Sequence, residues 1–362
     1  MEWLRLIRSR RIGAVSFHRL VAEHGSVHAV LAALPEIARA SGVQDYALCP
    51  IEVVRAELAQ GRAEGARLLL CGARDFPADL ALLPDAPPLL WARGDIGLLR
   101  RPMVAIVGAR NASSLGLRMA RRLADGLGAA GQVVVSGLAR GIDAAAHEAA
   151  LATGTVAVQA GGVDVIYPAE NTELAARILA HGCLVSEQPM GMIPQVRHFP
   201  QRNRIVSGLA RAVVVVEAAA RSGSLITART AGDQGREVLA VPGHPFDARA
   251  SGCNLLIRDG ATLVRGVSDI LEAVGVSSGA YVPRVDAMME DLPGPVPQPR
   301  PLSDIAAVHG EILARLGPSP LAEDQLIRDL AMPPAMLAPA LITLELEGRI
   351  MRQAGGLLSR VR

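Results

Sequence analysis

Short apolar runs alternate with amphipathic stretches through the middle of the 362-residue chain. Continuous β-branched runs are typical of strands buried on both faces, and the stretches between them have helical spacing. The predicted strands are Leu68–Cys71, Leu89–Ala92, Val104–Val107, Val133–Val135, Val156–Gln159, Leu184–Ser186, Val213–Val216 and Val238–Val241. Helices are predicted to begin near Ser114, Ile142, Asn171, Arg202, Leu225 and Gly252. The pattern predicts an α/β domain over residues 63–280 with an extended Rossmann-like, mostly parallel sheet.

A smaller domain is predicted on each side of this sheet. Residues 1–62 indicate a helical domain, either a plain bundle, which is favoured, or a SAM-like or helix-hairpin-helix fold. Residues 281–301 are rich in proline and indicate an extended linker. Residues 302–362 have the order of three helices and a hairpin that is typical of a winged helix. Its recognition-helix position, Met336–Leu346, contains no Arg, which favours protein contact or packing over DNA binding.

Composition narrows the chemistry that the chain can perform. All 37 basic residues are Arg, so a Walker A lysine, a Schiff-base lysine and a lysine general base are excluded. Arginine still provides a planar fork for phosphate. The four cysteines lack the spacing of a zinc site or a disulfide framework. No apolar run reaches the roughly 18 residues of a membrane span. We expect a cytoplasmic protein without a metal or cofactor.

The segment 199–228 is the strongest candidate for a binding site. Arg202–Arg204 precedes a buried strand, and the turn Ser222–Ser224 opens the helix after it, with Thr227 one turn inside. No acidic residue lies between Glu187 and Glu217. Arg202 and Arg204 are expected on one side of the first turn of their helix. The segment therefore predicts a site for a polyanionic ligand.

Three further turns follow predicted strands. The first turn contains Gly108 and Arg110 and lies between a predicted strand and the helix near Ser114. A strand-to-helix turn of this kind favours the binding of an anion. The second turn contains Ser136, Gly137, Arg140 and Gly141, whose glycines are expected to let the backbone approach a ligand closely. In the third, Tyr167 is expected either to stack on a base or to cover the end of the sheet.

Asp143 and His147 are four residues apart and share one face of a predicted helix. They could form an acid/base pair or two metal ligands. The favoured interpretation is a helix-start Asp that is hydrogen-bonded to its own turn, because no third metal ligand has suitable spacing.

Taken together, these motifs resemble the DNA-processing protein A (DprA/Smf) family over roughly residues 67–265. The resemblance rests on residues 107–110 (VGAR), 136–143 (SGLARGID), Ala146-His147, Tyr167-Pro168, Ser186-Glu187, 199–204 (FPQRNR), 222–228 (SGSLITA) and 240–243 (AVPG). It implies a homodimeric protein that binds single-stranded DNA without enzymatic turnover. It also implies protection of incoming DNA and help in loading the RecA recombinase during natural transformation.

The resemblance also implies the DNA contacts. Arginine side chains would bind phosphate, and the Gly/Ser turns would supply backbone donors. The predicted DNA-binding residues are Gly108, Arg110, Ser136, Gly137, Arg140, Gly141, Tyr167, Arg202, Asn203, Arg204, Ser222, Gly223, Ser224 and Thr227.

Two other functions remain as alternatives. The first is a nucleotide N-glycosidase similar to the lysine-decarboxylase-like (LOG) proteins, although the chain lacks their Pro-Gly-Gly-x-Gly-Thr-x-x-Glu motif. The second is a DNA-binding regulator that acts through the winged helix. No nucleophile–base pair is visible, and Glu187 and Glu217 have no obvious partner in the sequence, so binding without catalysis is favoured.

Overall fold

The structure is a computed structural model that describes residues 1–41, 43–276, 305–353 and 357–361. The N-terminal helical domain contains α1 (Glu2–Ile7), α2 (Ala14–His24), α3 (Val27–Ala40) and α4 (Ile51–Ala63). Apolar side chains of α1, α2 and α3 pack around the buried ring of Phe17. The Ser26 hydroxyl caps α3, because it accepts a hydrogen bond from the Ala29 N–H at 3.2 Å.

A nine-stranded sheet forms the middle domain. Its strands are β1 (Arg67–Leu70), β2 (Leu89–Gly94), β3 (Met103–Gly108), β4 (Val133–Ser136), β5 (Thr155–Val158), β6 (Cys183–Ser186), β7 (Ala212–Val216), β8 (Glu237–Ala240) and β9 (Thr262–Leu263). Their spatial order is β1-β2-β6-β5-β4-β3-β7-β8-β9. The pairs β1–β2 and β2–β6 are antiparallel. All other neighbouring pairs in this sheet are parallel.

Helices cover both faces of this sheet. They are α5 (Ala78–Ala81), α6 (Ser114–Ala129), α7 (Ile142–Ala150), α8 (Thr172–His181), α9 (His198–Leu209), α10 (Ser224–Asp233), α11 (Ser251–Arg258) and α12 (Val267–Ala273), with short 3₁₀ turns at Ile96–Arg100 and Ala169–Asn171. Successive residues of the central strand β3 point to opposite faces. Met103 and Ala105 pack toward α9, α10 and α11, whereas Val104 and Ile106 pack toward α6, α7 and α12. The expected sheet with two covered faces is confirmed.

The C-terminal domain is a winged helix with its own core. Its elements are α13 (Ile305–Arg315), β10 (Leu321–Ala322), α14 (Glu323–Leu330), α15 (Pro334–Leu346), β11 (Ile350–Gln353) and β12 (Leu357–Arg360). The strands pair in the order β10-β12-β11. Ile312, Leu326 and Leu341 are fully buried at the centre of this domain. The predicted linker 281–301 lies outside the described residues.

Each of the eight predicted strands is present, with ends that differ by at most two residues. The short strand β9 was missed because its two residues are too few to form a recognisable apolar run. The predicted start of α9 at Arg202 is wrong, since this helix begins at His198. Pro200 lies in the first turn of α9, where a helix does not need the backbone N–H that proline lacks.

Candidate functional site

The carboxyl ends of β3, β4 and β7 meet at one edge of the sheet, because β3 pairs in parallel with both neighbours. The chain passes from β3 to β4 on one side and later adds β7 on the other, so the connections diverge here. Open α/β sheets bind ligands in the crevice outside such a point. The turns after these strands and the first turns of α9 frame two adjacent pockets.

Two pockets contain most of the predicted site residues. The Arg140 pocket, of about 390 Å³, is lined by Arg110, Gly137, Arg140, Tyr167 and Arg202, together with Glu170 and Phe199. The Ser222 pocket, of about 510 Å³, is lined by Gly108, Arg110, Arg202, Asn203, Ser222, Gly223, Ser224 and Thr227, and again by Phe199. Arg110, Phe199 and Arg202 line both pockets and therefore mark their junction. Ser136, Gly141 and Arg204 line neither pocket.

Arg202 is a buried cation at this junction. The residue is only 7% exposed, and its Nε has no hydrogen-bond partner among the described residues. Burial lowers the pKa of the guanidinium, an effect that the nearby Asp143 carboxylate opposes and Arg110 reinforces. A buried charge needs hydrogen-bonded compensation. A guanidinium in this state is suited to hold an anion such as phosphate at the pocket junction.

Asp143 is bound to its own turn, as the favoured interpretation predicted. Its Oδ2 accepts hydrogen bonds from the N–H groups of Gly137 at 3.1 Å and Ala139 at 3.3 Å. These bonds correct one expectation, because the Gly137 N–H is not available to a phosphate. Ser136 is also engaged within the fold, since its hydroxyl donates to the Ile106 carbonyl oxygen at 2.7 Å.

His147 is fully buried and belongs to the core rather than to a pocket. Its Nδ1 lies 2.7 Å from Thr155 Oγ1, and the Thr155 hydroxyl donates to the Val134 carbonyl oxygen at 2.8 Å. The hydroxyl therefore accepts from His147 Nδ1–H. Burial and the nearby Arg202 lower the pKa of His147 to about 3. This histidine is a neutral hydrogen-bond donor at neutral pH.

The glycines of these turns allow close packing within the protein, which corrects the expectation of close approach to a ligand. A Cβ on Gly108 would lie 1.9 Å from the Val216 carbonyl oxygen. Gly141 has a φ of 76°, and a Cβ there would lie 2.3 Å from the Ala109 carbonyl oxygen. The turns after β3 and β4 therefore touch, and this contact places Arg110 at the junction of the pockets.

The N-terminus of α6 already holds an anion from the protein itself. Glu217 accepts a hydrogen bond from the Ser113 N–H at 2.8 Å and another from the Ser113 hydroxyl. A Cβ on Gly116 would collide with this carboxylate at 2.5 Å. Glu217 thus has a clear partner, contrary to the sequence-based interpretation. The helix start after Arg110, where an anionic ligand was expected, is filled.

Arg204 is directed away from the pockets, and the expectation that it lies beside Arg202 is wrong. Its Nη1 donates to the Asp85 carbonyl oxygen at 2.7 Å, and its Nη2 pairs with Glu187. The side chain is only 14% exposed. Because α9 begins four residues earlier than predicted, positions 202 and 204 lie in its second turn and face different neighbours.

Phe199 is a site residue that the prediction omitted. Its ring centroid lies 5.8 Å from that of Tyr167, and the two ring planes are inclined at 55°. The guanidinium carbon of Arg110 lies 5.5 Å from the Phe199 ring centroid. Tyr167 is 47% exposed, so it does not close off the end of the sheet. An aromatic residue directly before Pro200 in an arginine-rich segment was the signal that could have identified Phe199.

The start of α10 forms the far wall of the Ser222 pocket. The hydroxyls of Ser222 and Ser224 are 2.7 Å apart, and the buried Thr227 lies one turn further. Gly223 has nothing within 4 Å of where a Cβ would stand. The hydroxyls and the positive end of this helix line the same pocket as Arg110 and Arg202, which makes the pocket suitable for a phosphate group.

The described parts of the chain contain neither a metal cluster nor a membrane span. No group of three His, Cys, Asp or Glu residues that could hold a metal occurs among these residues. Within the same residues, no helix is both long and apolar enough to cross a bilayer.

The fold and the site define an α/β protein of the Rossmann-like class with an arginine-lined double pocket at the carboxyl ends of its strands. The chain belongs to the DNA-processing protein A (DprA/Smf) family. The family model described as DNA recombination-mediator protein A matches residues 67–275. A DprA-like N-terminal HHH domain matches residues 1–59, and a DprA winged helix domain matches residues 296–356. The N-terminal domain is thus of the helix-hairpin-helix type, the less favoured of the predicted alternatives.

Relatives support the same assignment. The DNA processing protein DprA of Streptococcus pneumoniae is 46% identical over 198 residues, which cover 54% of this chain and 70% of the relative. Protein Smf of Escherichia coli is 38% identical over 284 residues, which cover 78% of this chain and 74% of the relative.

Two solved structures are similar to this one. The X-ray structure of DprA from Streptococcus pneumoniae has a TM-score of 0.62 and 37% identity, and it covers 73% of this chain and 98% of that protein. The DNA processing protein A of Helicobacter pylori, described as having a single-stranded DNA binding mode, has a TM-score of 0.53 and 30% identity. The match covers 57% of this chain and 94% of that protein.

Proposed function

We propose that this protein binds single-stranded DNA at the two pockets and performs no catalysis on it. The observation that carries the proposal is Arg202, a buried guanidinium at the pocket junction whose Nε has no hydrogen-bond partner among the described residues. A backbone phosphate at the pocket junction would pair with this guanidinium, together with the nearby Asp143 carboxylate. Arg110 and Arg140 lie along the same path. Similarity to the single-stranded DNA-binding protein from Helicobacter pylori supports the assignment.

The pockets suit a flexible single strand. Phe199 and the exposed Tyr167 offer aromatic surfaces on which unpaired bases can stack. Arginines that bind phosphate carry no sequence information, so binding is expected to be nearly independent of sequence and strongly dependent on salt. Oligo-dT, oligo-dC and oligo-dA of the same length should therefore bind with similar affinity. A strong preference for one base would contradict this mode of binding.

The cellular role is a further part of the proposal. As a member of this family, the protein would protect incoming single strands, help to load the RecA recombinase during natural transformation, and act as a homodimer in the cytoplasm. The C-terminal winged helix would serve protein contact or packing, since its α15 contains no Arg. Co-purification with RecA on single-stranded DNA tests the loading role.

The rival function, a nucleotide N-glycosidase, is tested separately. The start of α6, which would be available to a mononucleotide phosphate in a nucleotide-binding sheet, is held by Glu217. Incubation of the protein with nucleoside monophosphates is expected to release no free base. Clear release of base would contradict binding without catalysis.

Glu170 is expected to weaken DNA binding at the edge of the Arg140 pocket. Its Oε1 lies 3.7 Å from Arg140 Nη1, and both side chains are more than half exposed. Glu170→Gln removes a negative charge from the path and releases Arg140, so single-strand affinity should rise about two- to threefold at low salt. Glu173→Gln, on an exposed position outside the pockets, is the control and should have a smaller effect. A loss of affinity in Glu170→Gln would show that this carboxylate assists binding.

Gly137 is expected to be required for the position of Arg202. A Cβ at residue 137 would lie 1.1 Å from Arg202 Nη1, so Gly137→Ala must displace the guanidinium. We expect single-strand affinity to fall about tenfold, as measured by anisotropy titration. Gly232→Ala, where a Cβ meets nothing within 4 Å, is the matched control and should bind normally. Normal binding by a folded Gly137→Ala protein would remove Arg202 from the site.

A further inference from the structure

We propose that Glu187 and Arg204 form a positioning pair that holds α9 in the register needed for DNA binding, and that the helical domain supports this pair through Arg8. This inference rests on the proposed function. It assigns to Arg204 a role within the protein in place of the expected contact with phosphate.

Arg204 is held from two sides. Its guanidinium pairs with the Glu187 carboxylate and donates to the Asp85 carbonyl oxygen at 2.7 Å. The Asp85 carboxylate lies 3.7 Å from Arg204 Nε. Both side chains of the Glu187–Arg204 pair are largely buried, with exposed fractions of 16% and 14%. Burial raises the pKa of Glu187, while Arg204 and Arg8 act to lower it. A buried pair with these hydrogen bonds fixes geometry well.

The helical domain reaches the same point through Arg8. The Arg8 guanidinium donates to the Glu187 carbonyl oxygen at 3.2 Å and to both carboxylate oxygens of Glu57, at 2.8 and 3.0 Å. The Trp91 indole N–H donates to the same Glu57 carboxylate at 2.8 Å. Glu187 is therefore held through its main chain by Arg8, the residue directly after α1, and holds α9 through its side chain.

The site depends on the position of α9. Phe199, Arg202 and Asn203, which line the pockets, lie on this helix within one and a half turns of Arg204. A small rotation of α9 would withdraw Arg202 from its place against Gly137. Arg204 lies two residues after Arg202 on the same helix and is fixed to Glu187 and Asp85, so its pairing resists that rotation.

The test uses a change whose electrostatic and positioning effects have opposite signs. Glu187→Gln removes a negative charge from the domain that would bind the DNA, so simple electrostatics predicts slightly stronger binding. If Glu187 positions α9, its loss should instead weaken single-strand binding about 3- to 10-fold. The slope of log affinity against log salt should stay nearly unchanged, because Arg202 keeps its charge beside the strand and loses only its hydrogen-bond geometry.

A second variant keeps the charge of residue 204, so it separates a positioning role from a direct contact with phosphate. Arg204→Lys retains the positive charge but cannot form the bidentate bridge between Asp85 and Glu187. It should bind less tightly with an unchanged salt slope, whereas a direct phosphate contact would be largely preserved by Lys. Circular dichroism at the assay temperature confirms that each variant is folded.

The outcomes separate the two proposals. Weaker binding by both variants at an unchanged salt slope supports the positioning pair. Stronger or equal binding by Glu187→Gln, or normal binding by Arg204→Lys, overturns it. Failure of the unaltered protein to bind single-stranded DNA would instead contradict the proposed function.

Discussion

Replacing Arg202 by Met is expected to weaken the binding of single-stranded DNA about 10- to 100-fold, which corresponds to the removal of one or two charge-assisted hydrogen bonds. The salt slope should decrease by about 0.7 for each phosphate that the protein no longer neutralises. Methionine has a similar length and no charge, so it can fill the space that the buried guanidinium occupies. The measurement is an anisotropy titration of a labelled single strand at several salt concentrations.

The matched control for this variant is Arg211→Met. Arg211 lies just before β7, at the edge of the sheet opposite the pockets, and its side chain is 51% exposed with Asp79 at 3.9 Å. The control removes the same charge from the same segment and should leave affinity nearly unchanged. Equal losses of affinity in the two variants would mean that general charge, and not the pocket junction, attracts the DNA.

Acid is expected to destabilise the protein through His147. The folded-state pKa is about 3, against an ordinary value of 6.5, because burial and Arg202 disfavour the charged imidazole. Below pH 6.5 the unfolded chain binds a proton that the folded state cannot accept. The free energy of unfolding should therefore fall by about 2 kcal/mol between roughly pH 7 and pH 5 through this residue alone.

The contribution of His147 is isolated by comparison with His147→Asn. Asparagine retains a donor toward Thr155 but does not titrate. Its unfolding free energy, measured by urea denaturation, should be lower overall yet should lack this acid-dependent component. The raised pKa values of Asp143 and Glu187 act in the opposite direction and are common to both proteins. Parallel pH profiles for the two proteins would show that His147 is not the cause.

The fold was largely predictable because its determinants are local. Runs such as Val104–Val107 and Val213–Val216 are buried on both faces of the sheet. Their residues are therefore all apolar, and such continuous runs are recognisable in the sequence as buried strands. The start of α9 was mispredicted because a proline such as Pro200 is compatible both with a loop before a helix and with the first turn of the helix itself. The family was evident from motifs whose residues are contiguous in sequence.

The candidate site was less predictable because its details depend on partners far apart in the chain. Arg204 pairs with Glu187 and with Asp85, which is 119 residues away. Gly137, in the turn after β4, makes room for the side chain of Arg202, which lies on α9. Glu217 fills the start of α6 from 104 residues away. Sequence spacing indicated arginine-rich turns correctly but could not tell which arginine remains available to a ligand.

A salt-titrated comparison of single-stranded and double-stranded oligonucleotides tests the central claim most directly. The unaltered protein should prefer the single strand at every salt concentration, with an affinity that falls steeply as salt rises. This preference should shrink in Arg202→Met and persist in Arg211→Met. Preference for duplex DNA, or single-strand binding that salt does not weaken, would contradict the account.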